Sequence, residues 1–181
     1  SPRCAGTDPP VAIRQDAHPR ALVAAKRIVA YLVLGVVLWQ GWYLGWVVWW
    51  KWFNPGTTAF MAQRLGELRE KNPQAELKRA WTPYDRISVH LRRAAVAAED
   101  DKFVDHEGFD WEGIQKALEK NQKKGKVVAG GSTISQQLAK NLFLSASKTP
   151  WRKAQEVVIT VWLELLWDKR RILEVYLNVV E

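Results

Sequence analysis

The chain has 181 residues, enough for one membrane anchor and one domain of modest size. Its net charge of +8, from 27 basic and 19 acidic residues, favours an anionic partner such as a phospholipid surface or a phosphorylated substrate. The sequence has no recognised nucleic-acid motif and a single cysteine, Cys4, so we expect no nucleic-acid partner and exclude an intramolecular disulfide.

The first predicted element is a transmembrane helix over residues 28–50. These 23 residues carry no formal charge and would form a helix roughly 34 Å long, which is enough to cross a bilayer. Six of the 11 tryptophans lie between Trp39 and Trp52, as expected of an aromatic belt at a membrane surface. The other reading is a buried core helix, which the length of the run and its charged flanks disfavour.

Basic residues predict the direction of this helix. Four of them stand between positions 14 and 27, and only Lys51 lies close after the span. The positive-inside rule therefore predicts a cytoplasmic N-terminal tail over residues 1–27 and a location outside the cytoplasm for everything after the span. We expect a juxtamembrane segment over residues 51–80 and one domain over residues 81–181.

The domain is predicted to be all-α, because no run alternates at period two and several segments repeat apolar residues at helical spacing. Weak helical spacing occupies residues 60–77, and stronger spacing leads from Ile87 into Glu99. The other predicted helices begin at polar caps, which are Asp110, Ser132 or Thr133, Thr149 and Asp168. Residues 157–167 are apolar nearly all round, so we expect this helix at the buried centre of the domain.

Four local patterns follow one another in the domain. The first begins at Glu99 with the sequence EDDKFVDHEGFD, and the second begins at Gly130 with GGSTISQQLAKN. The third begins at Arg152 with RKAQE, and the fourth begins at Lys169 with KRRILEVYLN. In this order and spacing they resemble the signatures of the peptidoglycan glycosyltransferase family. The sequence WTPYDRIS at residues 81–88 further resembles the monofunctional biosynthetic type of Gram-negative bacteria.

This resemblance covers about residues 53–181. It implies a lysozyme-like helical glycosyltransferase domain behind a single N-terminal transmembrane helix. The family's domain continues past the fourth pattern, so we expect the domain to be incomplete at its C-terminal end. Ser135 stands where the family more often has threonine, a change that keeps the hydroxyl group.

The resemblance implies an enzyme that polymerises lipid II, the lipid-linked disaccharide-pentapeptide, into glycan strands. A sugar hydroxyl of the acceptor attacks the anomeric carbon of the donor, the centre inverts, and undecaprenyl pyrophosphate leaves. An inverting transfer needs two carboxylates with different roles. By this resemblance, Glu99 is the general base, and Glu156 assists departure of the pyrophosphate, either directly or through a metal.

The resemblance also implies which residues bind the substrate. They are Lys140, Arg152, Lys153, Ser132, Thr133, Gln136, Gln137 and Asn141. Phe103, His106 and Gly108 are expected to shape the loop after Glu99. The residues alone leave plainer readings open, since Arg152 and Glu156 could form an ordinary surface ion pair, and Ser132 or Thr133 could be a helix cap only.

These patterns require no cofactor, and no His/Cys/Asp cluster has metal-ligand spacing. A divalent cation, Mg²⁺ or Mn²⁺, is compatible with a pyrophosphate leaving group, and Glu156 is its candidate ligand. The expected location is the inner membrane, with the catalytic domain in the periplasm. The expected partners are lipid II, the growing glycan strand, and cell-wall synthesis or division proteins. Two other readings stay open, a lytic glycan-cleaving enzyme and an inactive membrane-anchored scaffold.

Overall fold

The computed structural model describes residues 17–128 and 130–180, so most of the predicted tail lies outside the described residues. Over this part of the chain there are seven α-helices, one 3₁₀ turn and no strand, which confirms the all-α prediction. The helices are α1 (Ala17–Trp50), α2 (Ala59–Lys71), α3 (Val89–Glu99), α4 (Trp111–Lys124), α5 (Ile134–Phe143), α6 (Pro150–Leu166) and α7 (Lys169–Val179). The 3₁₀ turn, Tyr84–Arg86, precedes α3.

Helix α1 is longer than predicted, since it begins at Ala17 and not at Ile28. Its segment Leu22–Trp50 is long and apolar enough to cross a membrane. The side chains of residues 22–38 are exposed, as those of a lipid-facing helix would be. This stretch belongs to the first of two compact units, which ends at Gly41.

The second compact unit begins at Trp42 and therefore includes the last turns of α1. Val47 and Trp50, which the sequence places in the membrane span, are buried in the hydrophobic core of this unit. Trp167 donates its indole N–H to the Val47 carbonyl at 2.8 Å. The end of the predicted span is thus built into the globular unit, because its apolar side chains are covered by protein.

Helix α5 is the centre of the second unit and packs against α2, α6 and α7. Seven of its ten residues are buried. Ile134, Leu138 and Leu142 form the inward face that the helical spacing predicted. Because α5 is enclosed in this way, the loop that leads into it, which belongs to the second sequence pattern, is held in place by the core.

Helix α6 differs from the prediction of a helix buried on all sides. Ile159 and Leu163 are fully buried, whereas Val157, Val161 and Leu165 are exposed. The exposed residues recur every four positions, so they form a stripe along one face of the helix. The other face meets α5 and α7. Apolar residues on every side of α6 therefore did not mean that every side of the helix is buried.

Polar caps begin the helices where the sequence predicted them. Asp110, Thr133, Thr149 and Asp168 each accept a hydrogen bond from a backbone N–H in the first turn of their helix. These bonds satisfy donors that have no partner inside the helix. Of the two candidate caps for α5, Thr133 is the cap, and Ser132 precedes it.

Arg171 on α7 fastens the end of α1 to the rest of the second unit. Its guanidinium donates to the Trp50 carbonyl at 2.8 and 3.2 Å and to the Phe53 carbonyl at 2.9 Å. It also donates to Asn54 at 3.0 Å and pairs with Glu174 at 3.3 Å. The C-terminal end of a helix has unpaired carbonyls and partial negative charge, so a cation there is stabilising.

Replacing Arg171 with lysine should lower the free energy of unfolding by about 2 kcal/mol, because lysine cannot reproduce several directed hydrogen bonds at once. Arg170→Lys is the matched control. Arg170 pairs with Asp85 at the surface, and losing that pair should cost less than about 1 kcal/mol. Thermal unfolding in detergent, followed by tryptophan fluorescence, measures both variants. Equal shifts in Tm would contradict the role of Arg171 in holding the end of α1 against α7.

Candidate active site

Glu99 is the last residue of α3, and its side chain is exposed. Its Oε2 accepts a hydrogen bond from Gln137 Nε2 on α5 at 2.9 Å. No donor among the described residues contacts Oε1. The structure therefore brings two of the predicted site residues together and leaves one oxygen of the Glu99 carboxylate available to a ligand.

Tyr176 on α7 orients the side-chain amide of Gln137. Its hydroxyl donates to Gln137 Oε1 at 3.3 Å, so the amide nitrogen faces Glu99. Burial, followed by the charges of Glu99 and Asp100, raises the pKa of Tyr176 to about 12. The phenol thus keeps its proton, and its ability to donate, to a higher pH than an ordinary tyrosine. The fourth sequence pattern contains Tyr176, but the pattern alone did not reveal this contact.

Asp100, the residue after Glu99, is buried and accepts two hydrogen bonds. Its Oδ2 accepts from the Ile134 backbone N–H at 3.0 Å, and its Oδ1 lies 2.8 Å from His106 Nε2. The Gly108 backbone N–H donates to His106 Nδ1 at 3.1 Å, so Nδ1 holds the lone pair and Nε2 carries the proton. Asp100 thereby ties the end of α3 to the following loop and to the start of α5.

The loop containing His106 and Gly108 is joined to the cap of α5. The Thr133 hydroxyl donates to the Gly108 carbonyl at 2.7 Å. Thr133 and Gln136 form a capping box, in which Gln136 Oε1 accepts from the Thr133 backbone N–H at 3.1 Å. Both side chains are buried, which gives them a role in folding, and their contacts with substrate stay predictions.

A cavity of about 190 Å³ opens beside Glu99. Its lining includes Glu99 from α3 and Gly130, Gly131, Ser132 and Thr133 from the loop before α5. The first and second sequence patterns, which are separated by the whole of α4, therefore meet at one cleft. Ser132 is exposed to this cleft, as a substrate-binding residue would need to be.

Glu156 on α6 is only 3% exposed and is paired with two cations. Its Oε2 accepts a hydrogen bond from Arg152 Nη1 at 2.6 Å, and its Oε1 accepts one from Lys153 Nζ. Such burial excludes the ordinary surface ion pair that the sequence left open, because the interaction is poorly screened by water. Two cations share one carboxylate, so one positive charge remains to attract an anion.

Lys153 links Glu156 to a residue that lines the cleft beside Glu99. Its Nζ lies 3.5 Å from Ser132 Oγ, and Ser132 lines the same cleft as Glu99. Glu99 contacts Gln137 near the N-terminal end of α5. Glu156 is joined to the same end of α5 by Lys153, which contacts both Glu156 and Ser132.

Three other predicted residues are less accessible. Phe103 is 1% exposed and lies in the hydrophobic core, a position that suits a supporting role for the loop after Glu99. Asn141 is buried on α5, and Lys140 is half-buried on the same helix. Their contacts with substrate stay predictions. Within residues 17–128 and 130–180, no group of three or more His, Cys, Asp or Glu side chains could hold a metal ion.

Comparison with known proteins agrees with the four patterns. A family model described as transglycosylase matches residues 64–181. A protein of Dechloromonas aromatica named biosynthetic peptidoglycan transglycosylase is 65% identical over 159 residues, which are 86% of this chain and 69% of that protein. A protein of the same name from Aromatoleum aromaticum is 64% identical over 161 residues, which are 89% of this chain and 70% of that protein.

Replacing Tyr176 with phenylalanine should weaken the loss of stability at alkaline pH. The unfolded chain releases the phenolic proton near pH 10, whereas the folded chain keeps it up to about pH 12. The folded state therefore binds more protons between these values, and the free energy of unfolding falls as pH rises through them. Thermal unfolding of wild type, Tyr176→Phe and the control Tyr84→Phe, below and within this window, measures the effect. A decline as steep in Tyr176→Phe as in the other two would contradict it.

Proposed function

The chain belongs to the transglycosylase family and is a peptidoglycan transglycosylase, and on that premise we propose that it polymerises lipid II with inversion at the anomeric carbon. A sugar hydroxyl of the acceptor forms the new bond to that carbon, and the bond to undecaprenyl pyrophosphate breaks. The observation that carries this proposal is the meeting of an accessible carboxylate with a cationic centre at one end of α5.

Glu99 suits the role of general base. Its Oε1 is available among the described residues, and Gln137 holds the other oxygen. A general base must reach the hydroxyl whose proton it accepts, and the cleft beside Glu99 gives that access. The acceptor hydroxyl proton would pass to Glu99 as the new glycosidic bond forms.

Arg152 and Lys153 suit the role of binding the pyrophosphate. An arginine can grip phosphate oxygens through two N–H groups, and a lysine adds a compact charge. Glu156 is buried, and both of its oxygens already accept from these two cations. We therefore assign Glu156 to holding Arg152 and Lys153 in place, and not to direct contact with the leaving group.

The surroundings of Glu156 do not fit a resident metal ion. A divalent cation at this carboxylate would face the positive charges of Arg152 and Lys153, and no other acid lies in a ligand cluster within the described residues. No step of the mechanism is therefore routed through a metal bound to the protein. Participation of Mg²⁺ or Mn²⁺ that arrives with the pyrophosphate stays a prediction.

The proposed substrate and the chain itself both support a membrane location. Lipid II carries a polyprenyl anchor, and α1 contains one segment that could span a bilayer. We propose an inner-membrane protein whose N-terminus is cytoplasmic and whose transglycosylase domain is periplasmic. The distribution of basic residues on the two sides of the span supports this direction.

Glu99→Gln should abolish polymerisation of lipid II by the purified chain, because an amide cannot accept the hydroxyl proton. Glu107→Gln is the matched control, since Glu107 is exposed in the neighbouring loop, and it should leave the rate unchanged. Gel analysis of labelled glycan strands measures both variants. Full polymerisation by Glu99→Gln would end the assignment of the base, and release of soluble muropeptides from purified sacculi by the wild type would favour a lytic enzyme.

A further inference from the structure

We propose that Glu164 is a positioning residue for this transfer reaction, because it holds the loop that follows Glu99 in place through Ser135 and Lys169. The inference rests on the proposed function, since it takes Glu99 as the base. The second and fourth sequence patterns include Ser135 and Lys169, whereas Glu164 lies outside all four patterns.

Glu164 joins three core helices at one point. Its side chain lies on α6 and is 9% exposed. Its Oε1 accepts a hydrogen bond from Ser135 Oγ on α5 at 2.5 Å and one from Lys169 Nζ on α7 at 2.9 Å. An oxygen that receives both a hydroxyl and an ammonium group is best supplied by a carboxylate, which is an acceptor only.

Lys169 connects this junction to the loop after Glu99. Besides its bond to Glu164, its Nζ donates to the His106 carbonyl at 2.6 Å. The same ammonium lies 4.7 Å from the centre of the Phe103 ring, which is buried in the core. The hydrogen bond and the cation–π contact together fix the backbone of the loop against α7.

Gly108 places the loop directly on the Glu164 side chain. Its φ angle is +88°, a conformation that favours glycine. A Cβ atom at this position would lie 2.9 Å from Glu164 Cγ and from Thr160 Cγ2. Glu164 thus supports the loop by packing as well as by charge, and a shorter or uncharged side chain would remove part of that support.

The loop in turn determines where Glu99 lies. His106 binds Asp100, and Asp100 is the residue next to Glu99. If the loop moves when Glu164 is replaced, the bond between His106 and Asp100 changes and the carboxylate of Glu99 moves relative to the acceptor. A displacement of about 1 Å at a reacting group can cost about 100-fold in rate. Glu164 itself contacts no expected substrate group, so the loss should fall on kcat.

The test uses the full chain in detergent micelles with lipid II as the substrate. Glu164→Met keeps the length of the side chain and removes the acceptor, and we expect kcat to fall about 100-fold while KM changes little. Glu164→Gln retains an acceptor oxygen and should recover most of the rate. Leu163→Ala is the control for a general loss of stability, because Leu163 is a fully buried core residue on the same helix.

A spectroscopic readout separates positioning from stability. The chain has three histidines, so ¹⁵N-histidine labelling gives few signals, and those of His106 report which ring nitrogen carries the proton. We expect Glu164→Met to shift the His106 signals and Leu163→Ala to leave them unchanged. If Glu164→Met does not fold, Ser135→Ala and Ser135→Thr replace it, and only the alanine variant should lose rate and shift the signals.

Two results would overturn the proposal. One is a wild-type kcat in Glu164→Met, and the other is a loss that matches Leu163→Ala at equal folded fraction with unchanged His106 signals. The labelling experiment needs no substrate. A wild-type chain that does not polymerise lipid II would therefore count against the proposed function, while the His106 signals would still decide whether Glu164 positions the loop.

Discussion

Asp100 accepts hydrogen bonds from two groups outside its own helix, the His106 ring in the following loop and the Ile134 backbone N–H, which is 34 positions away. A buried carboxylate is stable only when its lone pairs are satisfied, so both partners must be in place whenever the domain is folded. This requirement joins the end of α3, the following loop and the start of α5. The accessible acid Glu99 is the adjacent residue, and its place depends on that junction.

The environments of Glu99 and Glu156 separate their roles. Glu99 is exposed beside a cleft and holds one amide, so it can receive a proton from a ligand. Glu156 is buried and paired with Arg152 and Lys153, so its charge holds the two cations that we propose bind the pyrophosphate. Two residues of the same type thus suit the different roles proposed for them, because one faces solvent and the other faces fixed positive charge.

Residue type and spacing predicted the helix caps, but they did not predict contacts between residues far apart in the sequence. The caps Thr149 and Asp168 were predicted from residue type and spacing, because capping involves neighbours in the chain. The exposed stripe of α6 was not predicted, since apolarity does not say which face is covered. The contacts of Asp100 and Glu164 join residues 34 and 29 positions apart, and such pairs depend on the fold and not on spacing.

The rate of lipid II polymerisation by Asp100→Asn, measured beside the exposed control Asp105→Asn, tests the junction most directly. Asparagine keeps one acceptor oxygen, so its amide nitrogen would face either the Ile134 N–H or the His106 N–H, which are both donors. We expect a folded Asp100→Asn protein that polymerises about 100-fold more slowly, while Asp105→Asn keeps the wild-type rate. A wild-type rate in Asp100→Asn would contradict this expectation.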